Sequence, residues 1–322
     1  MTVQLKEIHS MADRIRDNVG KVVIGKEDVI DKLIIALITS GHLLLEDVPG
    51  TGKTMLAKAL AKSLECNFKR IQFTPDLLPS DLSGIQYFNQ KQSDFEFRPG
   101  PLFTNVLLAD EINRATPRTQ SSLLECMEER QVSVDGETRK LSRPFLVIAT
   151  QNPVEHQGTF PLPEAQLDRF LFKVRMGYPS VAEGMDILKR FKADDPLRTL
   201  ESVVSADDIV QAQENYTSVY TSDDILSYIL HIVEKTRSHE QLALGASPRG
   251  SQALLRAAQA HAVIRGREYV SPDDVKAMAQ PVLAHRIIPA GHRSRSETAD
   301  RIVAELLNEV PVPAEDNMLT QA

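Results

Sequence analysis

Tryptophan is absent from the 322 residues, and cysteine occurs only twice, at Cys66 and Cys126. The two cysteines do not form a C-x-x-C pair, and no histidine cluster accompanies them. That pattern speaks against a disulfide framework or a zinc site; two small buried hydrophobes in a reducing compartment are expected instead. Long apolar runs are missing as well. Runs such as 33–38 and 106–109 fall far short of the ~20 residues that cross a bilayer. Residues 1–18 carry no apolar signal-peptide core and read as a polar amphipathic helix through Leu5, Ile8, Met11 and Ile15. A cytoplasmic protein is therefore expected. Basic excess is lacking too: the net charge is -7, which argues against a constitutive grip on nucleic acid and leaves room only for a local basic patch. Internal repeats and low-complexity segments are absent.

What is present is an ordinary globular composition, 42% hydrophobic and 25% charged, long enough for two domains of roughly 100–200 residues each. Up to about residue 178, short apolar runs at 42–46, 68–73, 105–110, 145–150 and 170–176 alternate with helical stretches at 52–64, 117–130 and 164–169. That alternation predicts an α/β fold, a buried parallel sheet flanked by helices. Segments 84–98 and 132–141 break it. Each carries alternating apolar residues around a polar turn, and each reads as a β-hairpin insert, either an edge ornament or a substrate-facing loop. After Tyr178-Pro179 only helices are expected, at 182–191, 206–217, 222–239, 248–266, 272–285 and 300–309, with caps at Ser205, Ser222 and Ser271. The expected organisation is a nucleotide-binding α/β core over 1–178, a separate all-helical lid domain over 179–310, and a loose proline-bearing tail over 311–322.

Glu46-Asp47-Val48-Pro49-Gly50-Thr51-Gly52-Lys53-Thr54-Met55 follows an apolar strand and opens a helix. This is the context that a P-loop requires. Glycines let backbone N–H groups turn toward a triphosphate, and the helix N-terminus adds positive potential. Lys53 reaches the terminal phosphates, and Thr54 offers its hydroxyl to Mg²⁺. Asp47 stands where the pattern G-x-x-x-x-G-K-[ST] has its first glycine, a position at which aspartate tolerates left-handed backbone.

The strand expected over 105–109 runs into Asp110-Glu111. Asp110 would hold Mg²⁺ through water, and Glu111 would orient and polarise the attacking water. Thr150-Gln151-Asn152-Pro153 is a second polar strand end, where the Asn152 amide would hold that water and sense the terminal phosphate, or make an Asx-turn before proline. Leu167-Asp168-Arg169-Phe170 ends a short helix, from which Arg169 would either reach a neighbouring subunit's nucleotide or pair with a surface acid. Gly245-Ala246-Ser247-Pro248-Arg249 begins a helix in the lid; Arg249 either touches phosphate or is incidental to the cap.

This order of motifs resembles the AAA+ superfamily. The wording of Leu107–Ala115, Ala149–Pro153, Phe160–Phe170 and Gly245–Arg249 resembles the MoxR family, over roughly residues 5 to 310. The resemblance implies Lys53 and Thr54 as Walker A, Asp110 and Glu111 as Walker B, Asn152 as sensor 1, Arg169 as arginine finger and Arg249 as sensor 2. It implies that Val23-Ile24-Gly25 lies near adenine, and that the hairpins are the helix-2 and pre-sensor-1 inserts of this clade. It further implies a hexameric ring, a partner with a von Willebrand factor A (VWA) domain, and a chaperone-like role in maturing protein clients. Two other readings stand beside this one. A nucleic-acid motor would draw on the basic stretch 285–295, and a slow nucleotide-switched scaffold would signal through its partner.

Overall fold

The computed structural model describes residues 2–46, 50–152, 158–193, 196–291 and 295–313. The chain begins with α1 (Val3–Gly20) and α2 (Glu27–Ile38), then enters β1 (Leu43–Glu46), α3 (Lys53–Ser63) and β2 (Phe68–Gln72). A short α4 (Pro79–Ser83) leads into the hairpin β3 (Gly84–Asn89) and β4 (Asp94–Pro99). Next come β5 (Val106–Asp110), α5 (Pro117–Glu129), the hairpin β6 (Gln131–Val134) and β7 (Glu137–Lys140), and β8 (Leu146–Gln151). After α6 (Glu164–Leu167) and β9 (Phe172–Val174) follow α7 (Val181–Ala193), α8 (Ala206–Asn215), α9 (Asp223–Ser238), β10 (Leu242–Leu244), α10 (Pro248–Ile264), α11 (Pro272–Leu283), β11 (Ile288–Pro289) and α12 (Arg295–Glu309).

Five strands form one parallel sheet in the order β2-β5-β8-β1-β9. The central strands are continuously apolar because both of their faces are covered. Leu43, Leu45, Val106, Leu108, Leu146 and Ile148 look toward the side of α1, α2 and α3. The residues between them, Leu44, Leu107, Ala109, Val147 and Ala149, join Leu123, Leu124 and Met127 of α5 on the other side. His42 pins the start of β1. Its Nδ1 accepts from the Val147 N–H at 3.0 Å, so Nε2 donates to the Met127 carbonyl, also at 3.0 Å. All strands of the sheet run the same way, so their carboxyl ends share one edge, where open α/β sheets bind ligands.

Both inserts are hairpins. In β6–β7 the register places Val134 opposite Glu137. Asp135 (φ 51°) and Gly136 (φ 83°) make the two-residue turn in left-handed backbone that such a tight connection demands.

One expectation needs correction. The part after residue 178 is not all-helical, because β10 pairs antiparallel with β11. Those runs are too short to read as strands, and pairing satisfies the backbone groups of two connections that meet. Leu254, Ala257, Val275 and Val282 of that part belong to the same apolar cluster as α1, α2 and one face of the sheet. The run 33–38, to which the sequence reading assigns no element, belongs to a helix, α2, buried from Val29 through Ile38. At the junction, buried Asp31 of α2 accepts from Arg16 of α1 (2.7 Å) and from Arg265 just past α10 (2.9 Å).

Candidate functional site

Parallel register brings the polar strand ends together. Gln72 lies opposite Asp110, and Glu46 opposite Gln151. Thr150, buried on β8, donates its hydroxyl to Asp110 Oδ1 at 2.6 Å and accepts the Glu111 N–H at 2.9 Å. One side chain thus positions both acids. Glu111 itself sits in left-handed backbone at φ 55°, a conformation costing an ordinary residue about 1–3 kcal/mol and characteristic of functional turns. Its Oε2 accepts from Gln72 Nε2 (2.8 Å) and faces Arg114 Nη1 at 3.2 Å. Asp110 Oδ2 accepts from two nitrogens of Arg70, Nη2 at 2.7 Å and Nε at 3.1 Å. The backbone carbonyl of Asn152 accepts from the Asn113 amide at 3.4 Å.

The loop entering α3 completes this edge. Gly50 (φ 86°) and Gly52 (φ 92°) both need left-handed backbone, and Gly52 caps α3 with no side-chain hydrogen bond to its first turn. Gly50, Thr51, Gly52, Lys53, Thr54 and Met55 line a cavity of about 680 Å³ together with Asp110, Glu111, Asn152 and Ile24. At one side of the lining are Val22, Val23, Ile24, Pro179 and Ile187; Lys26, Lys58, Arg70 and Arg190 add positive charge to that of Lys53. The residues fit a magnesium nucleotide. Glycines give close backbone approach, the α3 N-terminus and the cations suit phosphates, and the Thr54 hydroxyl and Asp110 carboxylate are hard oxygen donors. Among the described residues no group of three or more His, Cys, Asp or Glu could hold a metal. Magnesium would therefore draw its other ligands from phosphate and water. Pro49 and Asp47 lie outside the described residues.

Gly25 does not line the cavity. At φ 67° it faces the Glu183 carboxylate of α7, and a Cβ there would collide with it. Glu183 also accepts from the Ser180 N–H at 2.6 Å, so this glycine makes room for the first turn of α7. Beside the loop, burial alone would raise the Glu46 carboxyl, but Lys173, Gln151 and Arg175 outweigh it and hold it below its usual range.

Arg169 and Arg249 are brought together, away from that cavity. Arg169 Nε stands 3.2 Å from Glu128 Oε2, and Arg249 Nη1 2.9 Å from Glu128 Oε1. Asp168 lies 3.8 Å from Arg249 and 2.7 Å from buried Arg286. Burial lowers the Arg286 guanidinium to about 10, with Asp168 opposing that shift. A second cavity, about 600 Å³, is lined by this cluster with Arg130 and Arg256. His285 and Arg286, the start of the basic stretch, are buried and bonded to the backbone of Phe170, so they present no surface to nucleic acid; residues 292–294 lie outside the described residues.

Arg70, Gln72 and Glu128 were not legible as site residues. Their sequence signal is slight: two polar residues alternating on an edge strand, and one glutamate among three near the end of a helix.

The comparisons agree with this geometry. Residues 42–172 match the family model "ATPase family associated with various cellular activities (AAA)", and residues 234–306 match an AAA lid domain. The chain is 50% identical over 311 residues to the uncharacterized protein YeaC of Bacillus subtilis, covering 96% of this chain and 97% of that one. It is 40% identical to the Chaperone MoxR1 of Mycobacterium tuberculosis, over 95% of this chain and 83% of the other. A crystal structure of a proposed ATPase from Cytophaga hutchinsonii superposes with a TM-score of 0.89 at 39% identity, over 97% of both chains. The chain belongs to the MoxR family of AAA+ ATPases.

Proposed function

We propose that the chain binds ATP or ADP with Mg²⁺ at the carboxyl edge of its sheet, hydrolyses ATP there, and uses the cycle to remodel or mature protein clients. The observation that carries this reading is convergence: Lys53, Thr54, Asp110, Glu111 and Asn152 come from three separate segments to line one cavity. Bound magnesium neutralises phosphate charge. Lys53 and the glycine-rich loop hold the phosphates, Glu111 aligns water, and Asn152 fixes its position. Water exclusion falls to the cavity wall, where Pro179 and Ile187 stand.

Arg169 and Arg249 are outside this cavity within one chain. Their action on phosphate therefore belongs to a neighbour's nucleotide, in a homo-oligomer that we take to be a hexameric ring. The working unit is a core to about residue 178 and a lid over 179–310, in the cytoplasm, with a VWA-domain protein as partner. Similarity to a chaperone and the net charge of -7 favour a protein client over nucleic acid.

The test is nucleotide binding and turnover in two variants. Lys53→Ala should lose ATP binding. Glu111→Gln should bind ATP and turn over at least ~100-fold more slowly, and should trap client and partner for pull-down. Unchanged ATP affinity in the first variant, or normal turnover in the second, would remove the assignment.

A further inference from the structure

Arg70 is unexplained by stability. It projects from the edge strand β2, its side chain is 47% exposed, and its partner Asp110 is 12% exposed. Ion pairs this open contribute about 0–1 kcal/mol, so the fold has little need of it. Its placement is nevertheless specific. Two nitrogens of its guanidinium converge on one oxygen of Asp110, at 2.7 and 3.1 Å, while Thr150 holds the other at 2.6 Å. Arg70 Nη2 also donates to Gln72 Oε1 at 3.2 Å, and Gln72 passes its amide hydrogen to Glu111 at 2.8 Å. Arg70 lines the same cavity as Lys53 and Thr54.

We propose that Arg70 is a metal-gating residue of the hydrolytic site: it shares the Asp110 carboxylate with the magnesium shell and turns onto the terminal phosphate when a magnesium nucleotide is bound. The argument is electrostatic. A guanidinium on Oδ2 removes much of the negative charge that would attract a divalent cation. It also leaves the metal to be met through water, since both carboxylate oxygens already accept hydrogen bonds. Arginine suits the exchange, because its charge is permanent and its planar fork matches carboxylate and phosphate alike. A lysine would keep the charge but lose the fork.

The proposal rests on the nucleotide reading above, so Lys53→Ala serves as the control. The experiment uses the full chain as wild type, Arg70→Gln and Arg70→Lys, with a fluorescent ATP analogue followed by anisotropy across a magnesium titration and in EDTA. Removing the competing charge should let Arg70→Gln reach half-maximal magnesium-dependent binding at about three- to fivefold lower free Mg²⁺. In EDTA, where Arg70 stays on Asp110, its affinity for the analogue should match that of wild type. Turnover should fall about 10- to 100-fold with little change in KM. Arg70→Lys should return the magnesium midpoint toward wild type without restoring turnover. An unchanged magnesium midpoint in Arg70→Gln, or weakened affinity in EDTA, overturns the gate while Lys53→Ala still loses binding. If Lys53→Ala binds normally, the nucleotide reading fails instead. Should Arg70→Gln not fold, the Arg70→Lys midpoint and turnover decide the matter.

Discussion

At the scale of single residues, the site depends on side chains that hold its acids and strands in place. Thr150 is one: it is 1% exposed, and its hydroxyl joins the two acids. Thr150→Val keeps the shape and deletes both bonds. Turnover should fall at least ~10-fold while nucleotide affinity holds, checked by steady-state kinetics beside a binding titration. His42 is another. Burial first, then the charge of Arg130, pushes its imidazole from 6.5 down to about 3. The unfolded chain therefore binds a proton that the folded chain refuses, and stability rises with pH between these values. The contribution is complete above pH 6.5 and is lost as pH falls toward 3, at up to ~1.4 kcal/mol per pH unit. Denaturant unfolding at pH 7 and pH 5 should show a larger acid loss in wild type than in His42→Phe. Equal losses would remove His42 as the cause.

At the scale of elements, sequence legibility followed locality. The glycine loop and the acidic end of β5 are contiguous words with a strand on one side and a helix or turn on the other, so periodicity and caps place them. Helix α2 was missed for the opposite reason: it is buried nearly all round, and a helix without a polar face shows no 3.6-residue pattern. The bridge from Glu128 to Arg169 and Arg249 joins α5, the end of α6 and α10, a meeting that no local pattern encodes. Gly25 shows a structural demand that a motif does not announce: it accommodates Glu183 at the start of α7. Gly25→Ala should cost about 1–3 kcal/mol from left-handed backbone and the clash. It should also weaken nucleotide binding, because α7 carries Ile187 and Arg190 into the cavity wall. Thermal unfolding and a binding isotherm on the same preparation test both parts. A variant with wild-type values in each would show that α7 does not depend on this position.

At the scale of the whole molecule, two charged centres face different ways. One lines the candidate nucleotide cavity; the other, Arg169 with Arg249, lies outside it and on the proposed function serves a neighbour's nucleotide. Arg169→Ala alone should bind ATP without hydrolysing it. Mixed with Lys53→Ala subunits it should regain part of the activity, since binding-competent sites then meet intact arginines; turnover as a function of mixing ratio reads this directly. Asp31 holds the chain's first helix to its second and to the end of α10. Asp31→Ala takes the carboxylate from Arg265 and leaves Arg16 on Asp13, and should cost about 2–3 kcal/mol in denaturant unfolding, less than for a buried pair left with no partner at all.

Helix α1 has a consequence beyond that tie. Its 18 residues make a rod of ~27 Å lying against both α3, which starts at Lys53, and α10, which starts beside Arg249. Its side chains reach the closing ends of both: Asn18 donates to Ser63 at 2.9 Å, and His9 Nδ1 lies 3.0 Å from the Ile264 carbonyl. The rod therefore braces α3 and α10 at the ends opposite the glycine loop and Arg249, so that both openings stay clear of it.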